Sequence, residues 1–330
     1  MRIPLVSPTT LTLAEHVSRH LGREVFVKHD NATHPRYGGN KVRKLEYLLA
    51  DARVQGATDL VTVGAAGSHH ALATSVHGAA AGFHVAVVLC PQAGNDHVTM
   101  NLRADLAQGA TVHPVSAGWK LLPAALAHAA LLRAKGRVPY VIPAGGSTPL
   151  GACGYIDAVG ELATQLRVLG VGRIDAMVCA LGSGATLAGM MAGARLHGLA
   201  TEAWGVRVTP RFVSSRGLVV WLATRALQRV SPRAAGFARA DVRVTDDQFG
   251  DGYGVPTPAA REALELFARD GVELDLTYTA KAAAGLLAMA RESPRGHRYL
   301  FWNTLSSAPL GALVPDLDAP LPPKIAALLR

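Results

Sequence analysis

The chain has 330 residues, of which 49% are hydrophobic and 17% are charged. This length suits one large or two modest domains, and the composition can bury a large core, which excludes a mainly disordered protein. The formal net charge is +9, and a basic balance can attract nucleic acid, anionic lipid or small anions. The Lys and Arg residues are scattered, so we predict a generally basic surface with neither a nucleic-acid nor a membrane partner.

Three cysteines, Cys90, Cys153 and Cys179, lie far apart in the sequence, without a CxxC spacing. This pattern supports neither a zinc site nor a disulfide framework, and it favours reduced thiols in a reducing compartment. The sequence also lacks an apolar signal segment at its start and any apolar stretch long enough to span a bilayer. We therefore predict a cytoplasmic protein without a bound metal.

Strand-like runs alternate with helical patterns through most of the chain. Apolar residues from Val42 to Ala52 recur at helical spacing. Strands are predicted at residues 59–63, 84–89, 111–115, 138–142, 175–180, 203–208 and 298–302. Helices are predicted at residues 96–108, 257–269 and 279–291, and from near residues 68 and 186. The alternation predicts an α/β fold with mostly parallel sheets and helices on both faces.

Open parallel sheets bind ligands beyond the carboxyl ends of their strands. This rule selects four turns as candidate sites, at residues 64–70, 144–149, 181–186 and 303–307.

The segment around Lys41 carries the first chemical signal. Gly38 and Gly39 allow a tight turn, and Asn40 and Lys41 then open a helix. The positive end of the helix dipole favours the neutral amine, which is the form that attacks an aldehyde. Lys44, one turn later, can reach a phosphate. A basic, solvated first turn is the alternative interpretation.

A second glycine-rich turn consists of Gly182, Ser183, Gly184, Ala185 and Thr186. Free N–H groups at a helix N-terminus attract an anion. The segment matches neither GxGxxG nor GxxxxGK[ST], so it favours a single phosphate over a nucleotide. An ordinary tight turn with a threonine N-cap is the alternative.

The turn at residues 64–70 ends in Ser68, His69 and His70. Ser68 can cap a helix, and the amides beside it can hold a carboxylate, although a cap alone is also consistent with the sequence. Adjacent histidines on a helix diverge by about 100°, so His69 and His70 are not expected to share a metal ion.

Two tyrosines complete the candidate set. Tyr253 lies among glycines on a turn, and Tyr278 precedes a helix whose dipole is predicted to acidify its phenol. Both can instead be packed structural residues.

Three long stretches carry a family resemblance. Residues 38–52 read GGNKVRKLEYLLADA, residues 140–162 read YVIPAGGSTPLGACGYIDAVGEL, and residues 250–282 run from GDGYGVPT to LDLTYTAKA. The chain, from about residue 5 to 310, resembles the family of 1-aminocyclopropane-1-carboxylate deaminase and D-cysteine desulfhydrase. These are fold type II, tryptophan-synthase-β-like enzymes. The resemblance implies pyridoxal 5'-phosphate as cofactor, a homodimer, a large domain from residues 1–50 and 166–330, and a small inserted domain at residues 51–165.

The resemblance also implies a role for each matching residue. Lys41 forms the Schiff base and moves the α-proton, and Asn40 contacts the ring oxygen or the substrate. Lys44 and residues 182–186 hold the phosphate. The remaining roles fall to Ser68 at the substrate carboxylate, His69 near the cofactor ring, Thr304 at the pyridine nitrogen, and Tyr253 and Tyr278 at the substrate.

A hydroxyl partner makes the ring a weaker electron sink, which suits loss of a β-substituent better than transamination. The implied reaction converts a small amino acid to a 2-oxo acid and ammonia. Two alternatives are a β-replacement synthase and a cofactor-binding protein that has lost catalysis.

The sequence departs from the family pattern at several positions, among them His69, Leu305 and Ser306, and at Thr279 it follows one side of the family. His69 replaces an asparagine and is either an altered ring contact or a new acid–base group. Leu305 and Ser306 replace two glycines, and Thr279 resembles the desulfhydrase side of the family. We therefore expect a divergent substrate.

Overall fold

The computed structural model describes residues 2–329. Its strands are β1 Leu11–Leu13, β2 Val25–Lys28, β3 Asp59–Ala65, β4 His84–Cys90, β5 Thr111–Pro114, β6 Pro139–Ile142, β7 Ala176–Leu181, β8 Glu202–Arg207, β9 Arg243–Thr245 and β10 Tyr299–Trp302. Its helices are α1 Glu15–Leu21, α2 Asn40–Val54, α3 His69–Ala80, α4 Asp96–Ala107, α5 Leu121–Ala134, α6 Pro149–Val168, α7 Ala185–Leu196, α8 Arg216–Val230, α9 Pro258–Ala268, α10 Thr279–Glu292 and α11 Pro323–Ala326.

The strands form two sheets. The larger has the order β1-β2-β10-β7-β8-β9, and the smaller has the order β5-β4-β3-β6. All neighbours pair in parallel except β1 and β2, which are antiparallel. The predicted α/β fold with mostly parallel sheets is confirmed.

The smaller sheet shows why its strands read as continuous apolar runs. Leu60 packs into the core on one face, against helices α2 and α3. Its neighbours Val61 and Val63 pack on the opposite face, against Ala125 and Leu132 of α5. A strand covered on both faces needs apolar residues at successive positions, because its side chains alternate between the faces.

Helix α6 runs without interruption across the sequence boundary expected at residue 165. Its buried face belongs to the core of the larger sheet, where Ala152, Ile156 and Val159 pack with Met190 of α7 and Leu222 of α8. We propose that the small domain ends before α6, near residue 148. Within residues 2–329, no helix combines the length and the apolarity that a bilayer crossing requires.

A buried ion cluster fixes helix α2, which carries Lys41. Arg43 donates to Asp30 at 2.7 Å and to Glu161 of α6 at 3.1 Å, and Tyr155 donates to Asp30 at 2.8 Å. Burial alone would raise the pKa of Asp30, but the adjacent guanidinium of Arg43 outweighs it and holds that pKa below its usual value. Fully paired buried charges of this kind orient the elements they join.

Candidate active site

The two sheets direct the carboxyl ends of their strands toward one cavity of about 350 Å³. This volume lies within the range of small-molecule sites, roughly 300–1,000 Å³. All four predicted turns contribute to the wall. The predicted site residues that line it are Asn40, Lys41, Lys44, Ser68, His69, Gly182, Ser183, Gly184, Thr186, Tyr253, Tyr278 and Thr304. Ala185 is buried in the core and does not line the cavity.

Lys41 is the second residue of α2, directly after the Gly38-Gly39 turn. Gly39 has φ +86°, and a Cβ there would lie 2.8 Å from the carbonyl oxygen of Thr304. The close approach lets the Asn40 N–H donate to the same carbonyl at 3.3 Å. Burial lowers the pKa of Lys41 to about 8, while the charge of Asp275 acts in the opposite direction. The predicted tendency toward the neutral amine is therefore present, with desolvation as its main cause.

The turn before α7 presents backbone N–H groups to the cavity. Gly184 is the N-cap with φ +98°, and no side chain of the described residues caps the helix. The alternative of a threonine N-cap is therefore wrong. A Cβ built at Gly182 meets nothing within 4 Å, so the turn leaves open space beside these N–H groups.

Two side chains brace this turn, and Lys44 lies against the neighbouring turn at residues 144–146. Ser147 Oγ donates to Ser183 Oγ at 2.7 Å, and Thr209 Oγ1 donates to the Gly182 carbonyl at 2.9 Å. Lys44 Nζ donates to the Gly145 carbonyl at 3.1 Å, which places its amine against the turn at residues 144–146, and burial together with the neighbouring Lys41 lowers the pKa of this amine well below its usual value. An uncapped helix N-terminus beside a lysine suits a phosphate.

Ser68 and His69 line the opposite side of the cavity. Ser68 Oγ accepts the Ala71 N–H at 3.2 Å and so caps α3, as predicted. His69 bonds through Nδ1 to the Tyr37 hydroxyl at 2.7 Å and through Nε2 to His97 at 3.2 Å. The His70 ring diverges from that of His69, and its Nε2 lies 3.0 Å from Thr62 Oγ1.

Tyr253 and Tyr278 join through a hydrogen bond between their hydroxyls. Burial raises the pKa of Tyr253 to about 12 and raises the pKa of Tyr278 well above its usual value. The predicted acidification of Tyr278 is therefore wrong. Asp275 adds to the upward shift, because it accepts the Tyr278 and Thr279 N–H groups at 2.8 and 3.0 Å and so places a carboxylate at the start of α10.

The sequence predictions left several cavity features unassigned. Asp275 also lines the cavity, and no capping position marks it in the sequence, because the N-cap of α10 is Tyr278. An apolar wall follows β8 and was not predicted; it consists of Pro210, Phe212 and Val213. Leu305 lines the cavity, whereas Ser306 turns away and accepts the Gly38 N–H through its hydroxyl at 2.9 Å.

The donor set fits one type of small molecule. A desolvated lysine suits an aldehyde, an uncapped helix N-terminus with Lys44 suits a phosphate, and the buried Thr304 hydroxyl suits a ring nitrogen. Pyridoxal phosphate carries these three groups on one ring. Fold and site together suit an enzyme whose cofactor is a phosphorylated aldehyde.

Comparison with known proteins gives the same result. The sequence profile of the family described as "Pyridoxal-phosphate dependent enzyme" matches residues 3–304. A Pyrococcus furiosus protein, provisionally named a 1-aminocyclopropane-1-carboxylate deaminase, is 35% identical over 90% of this chain and 88% of its own length. A D-cysteine desulfhydrase of Salmonella paratyphi B is 37% identical over 87% of both chains.

The solved structure of an ACC deaminase homologue superposes with a TM-score of 0.83, at 32% identity over 94% of this chain and 96% of the other. A fungal L-serine ammonia-lyase from Rhizomucor miehei, at 19% identity and a TM-score of 0.63, shares the fold. The chain therefore belongs to the pyridoxal-phosphate dependent enzymes of fold type II. The predicted family and the predicted cofactor, pyridoxal 5'-phosphate, are confirmed.

Proposed function

We propose that this enzyme is a β-eliminating deaminase of a small amino acid, with D-cysteine as the first candidate substrate. The substrate loses its α-proton and its β-substituent, and water then releases the nitrogen. Each molecule of D-cysteine and water gives one molecule each of pyruvate, ammonia and hydrogen sulfide. The proposal agrees with the D-cysteine desulfhydrase name of the Salmonella relative.

The observation that carries the choice of elimination is the state of Thr279. Its hydroxyl donates to the Asp275 carboxylate at 2.6 Å, and the residue is only 1% exposed. The cyclopropane deaminases tend to have a glutamate at this position, so this chain offers the cavity no acid there. The Tyr253–Tyr278 pair and Asp275 are the polar groups that line the cavity on this side.

The proposed roles follow from position. Lys41 accepts the α-proton, and its lowered pKa keeps part of the amine neutral near pH 8. Ser68 and the first N–H groups of α3 bind the substrate carboxylate. Lys44 and residues 182–186 hold the phosphate, with Ala185 contributing its N–H. Bound pyridoxal phosphate supplies the electron sink that makes the α-proton acidic.

Other residues shape the site around these groups. Asn40 and His69 contact the cofactor ring, and the Thr304 hydroxyl meets its nitrogen. Tyr253 and Tyr278 stay protonated because burial raises the pKa of both phenols, so one hydroxyl donates to the other and the accepting hydroxyl keeps its own O–H to donate to the substrate. We also propose that the protein works in the cytoplasm as a homodimer. Sedimentation equilibrium tests the dimer, and a monomer mass would contradict it.

The test is product analysis with the cofactor-loaded enzyme. D-cysteine, L-cysteine, D-serine and 1-aminocyclopropane-1-carboxylate are supplied separately, and the 2-oxo acid, ammonia and sulfide are quantified. The proposal predicts equal amounts of pyruvate, ammonia and sulfide from D-cysteine. Turnover of the cyclopropane substrate alone would contradict it, as would product formation only with an added thiol or amine, which defines a synthase. A bound cofactor whose spectrum responds to none of these substrates would indicate lost catalysis.

A further inference from the structure

Both ring nitrogens of His69 are engaged in hydrogen bonds. Nδ1 lies 2.7 Å from the Tyr37 hydroxyl, and Nε2 lies 3.2 Å from Nε2 of His97. Tyr37 is 1% exposed, whereas His97, in the first turn of α4, is open to solvent. A chain of three side chains therefore runs from a buried phenol, past the cavity, to the surface.

Asn101, which lies beside His97, sets which atoms donate and which accept along this row of hydrogen bonds. Asn101 Nδ2 donates to the Gly67 carbonyl at 3.0 Å, and the same nitrogen lies 3.5 Å from His97 Nε2. An amide N–H pointing at Nε2 favours a lone pair there. His69 then supplies the N–H of the pair from its own Nε2, and its bare Nδ1 accepts the Tyr37 O–H. Burial raises the pKa of Tyr37, so the phenol keeps the proton that it donates here.

The surroundings hold His69 in its neutral form. Burial lowers its pKa to about 4, and the charges of His97 and Lys41 act in the same direction, while Asp275 opposes them. The ring of Tyr278 meets the His69 ring edge-on, with centroids 5.8 Å apart. His69 is thus enclosed by the residues that surround the reacting groups.

We propose that His97, together with Tyr37, is a positioning residue that fixes both the orientation and the tautomer of His69. His69 then meets the cofactor as an immobile neutral ring and does not act as an acid or a base. The proposal goes beyond the reaction assigned above, since it concerns how the enzyme holds its cofactor. It also decides between the two roles that the sequence left open for His69.

The tautomer of His69 should depend on pH, because His69 and His97 share one proton between their Nε2 atoms. When His97 gains a second proton, both its nitrogens become donors, so His69 Nε2 must accept. The His69 proton then resides on Nδ1, and the Tyr37 oxygen accepts it. Burial lowers the pKa of His97 and Asp275 raises it, so this inversion occurs on acidification. Lys41 and Tyr278 face His69 but are not part of the hydrogen-bonded chain.

The first test is ¹⁵N NMR of the histidine ring nitrogens, in the protein without cofactor and after loading. At pH 8, His69 is expected to show a protonated Nε2 and a bare Nδ1, and the two signals should exchange character as His97 titrates. His97→Gln keeps a hydrogen-bonding partner but cannot titrate, so His69 should stay ordered without the exchange. His97→Phe should release Nε2. His113→Gln is the control, because His113 pairs with His128, outside the cavity.

The second readout is the affinity for pyridoxal phosphate and the absorbance of the loaded protein. His97→Phe should weaken binding by roughly fivefold, the value of one hydrogen bond, and His97→Gln should restore it. A His69 that itself takes up a proton between pH 6 and 8 would overturn the proposal, as would a tautomer unchanged in His97→Phe. Neither readout needs a substrate, so failure of the proposed β-elimination would leave this test valid.

Discussion

The side-chain amide of Asn40 donates to the hydroxyl of Thr186 across 3.0 Å, and both residues are buried. This bond joins the first residue of α2, next to Lys41, to the first turn of α7. The lysine and the phosphate turn come from distant parts of the sequence, and the bond fixes the spacing between them. We propose that this contact sets the distance between the residues that would hold the aldehyde end and the phosphate end of the cofactor.

Thr186→Val removes the acceptor and leaves the buried Asn40 amide without this partner. An unpaired buried polar group costs about 1–3 kcal/mol, so cofactor binding is expected to weaken by roughly tenfold. Fluorescence titration with pyridoxal phosphate measures the change. Thr186→Ser, which keeps the hydroxyl, is the matched control. Equal affinities in the Val and Ser variants would show that the bond does not set the spacing between Lys41 and the turn before α7.

Cofactor capture by the empty enzyme should depend on pH through Lys41. Burial lowers the pKa of this amine to about 8. Below that pH the amine is mostly protonated and cannot attack the aldehyde, and above it the neutral form dominates. Stopped-flow absorbance should therefore show a rate that rises from pH 6 to 9 with a midpoint near 8. A rate that keeps rising toward pH 10.5 would mean that Lys41 is not desolvated.

Gly145→Ala should disturb the turns that we propose hold the cofactor phosphate. Gly145 has φ +66°, and an added Cβ would lie 1.9 Å from Ser183 Oγ, so the Ser183 side chain must move and lose its bond to Ser147 or the turn must shift. Gly136→Ala is the control, because Gly136 has φ +75° but open space around its Cβ. Backbone strain of about 1–2 kcal/mol applies to both variants. Only Gly145→Ala is expected to weaken cofactor binding as well, by roughly tenfold or more. Equal affinities in the two variants would contradict the clash.

The buried carboxyl group of Asp105 should make the free energy of unfolding fall as the pH rises. Burial raises the pKa of this carboxyl group from 3.8 to about 7, although Ser75 donates to it at 2.7 Å. The contribution of the neutral carboxyl group to the free energy of unfolding is fully present below about pH 4, and it is lost as the pH rises through 7. Asp105→Asn keeps an acceptor for Ser75 and should gain on the order of 1–3 kcal/mol at pH 8. Denaturant unfolding at pH 5 and 8 measures this.

Asp318→Asn is the control for that measurement, because the side chain of Asp318 is exposed to solvent. An Asp105→Asn variant no more stable than the wild type at pH 8 would show that Asp105 is ionised at no cost in the native protein.

The fold could be predicted where periodicity was strong. Leu60 and Val61 are consecutive apolar residues that face opposite cores, and a sheet covered on both faces requires that pattern. Strands β1 and β9, of three residues each, are too short to give a periodic signal. Strand β2 is fully buried, but its four residues VFVK carry a lysine, which pairs with Glu161. That partner lies far along the chain, so sequence alone could not assign the strand.

The site could be predicted to the level of its turns, since strand ends at one sheet edge converge. The pKa of Tyr278 could not be predicted from the sequence. It depends on the burial of the phenol and on its closeness to the Asp275 carboxylate, and both arise only when the chain folds. The bond between His69 and His97 joins two helices, and no local spacing encodes it. The roles of Ser68, Tyr253 and Thr304 stay predictions until variants are measured.

The most direct test of the central claim is the absorbance spectrum of the purified protein with pyridoxal phosphate, compared with Lys41→Ala. The wild type should show a band near the visible edge that resists dialysis and responds to added D-cysteine. Lys41→Ala should lack that band while keeping its fold by circular dichroism. A band that survives in Lys41→Ala, or none in the wild type after adding the cofactor, would contradict the assignment of Lys41 as the cofactor lysine.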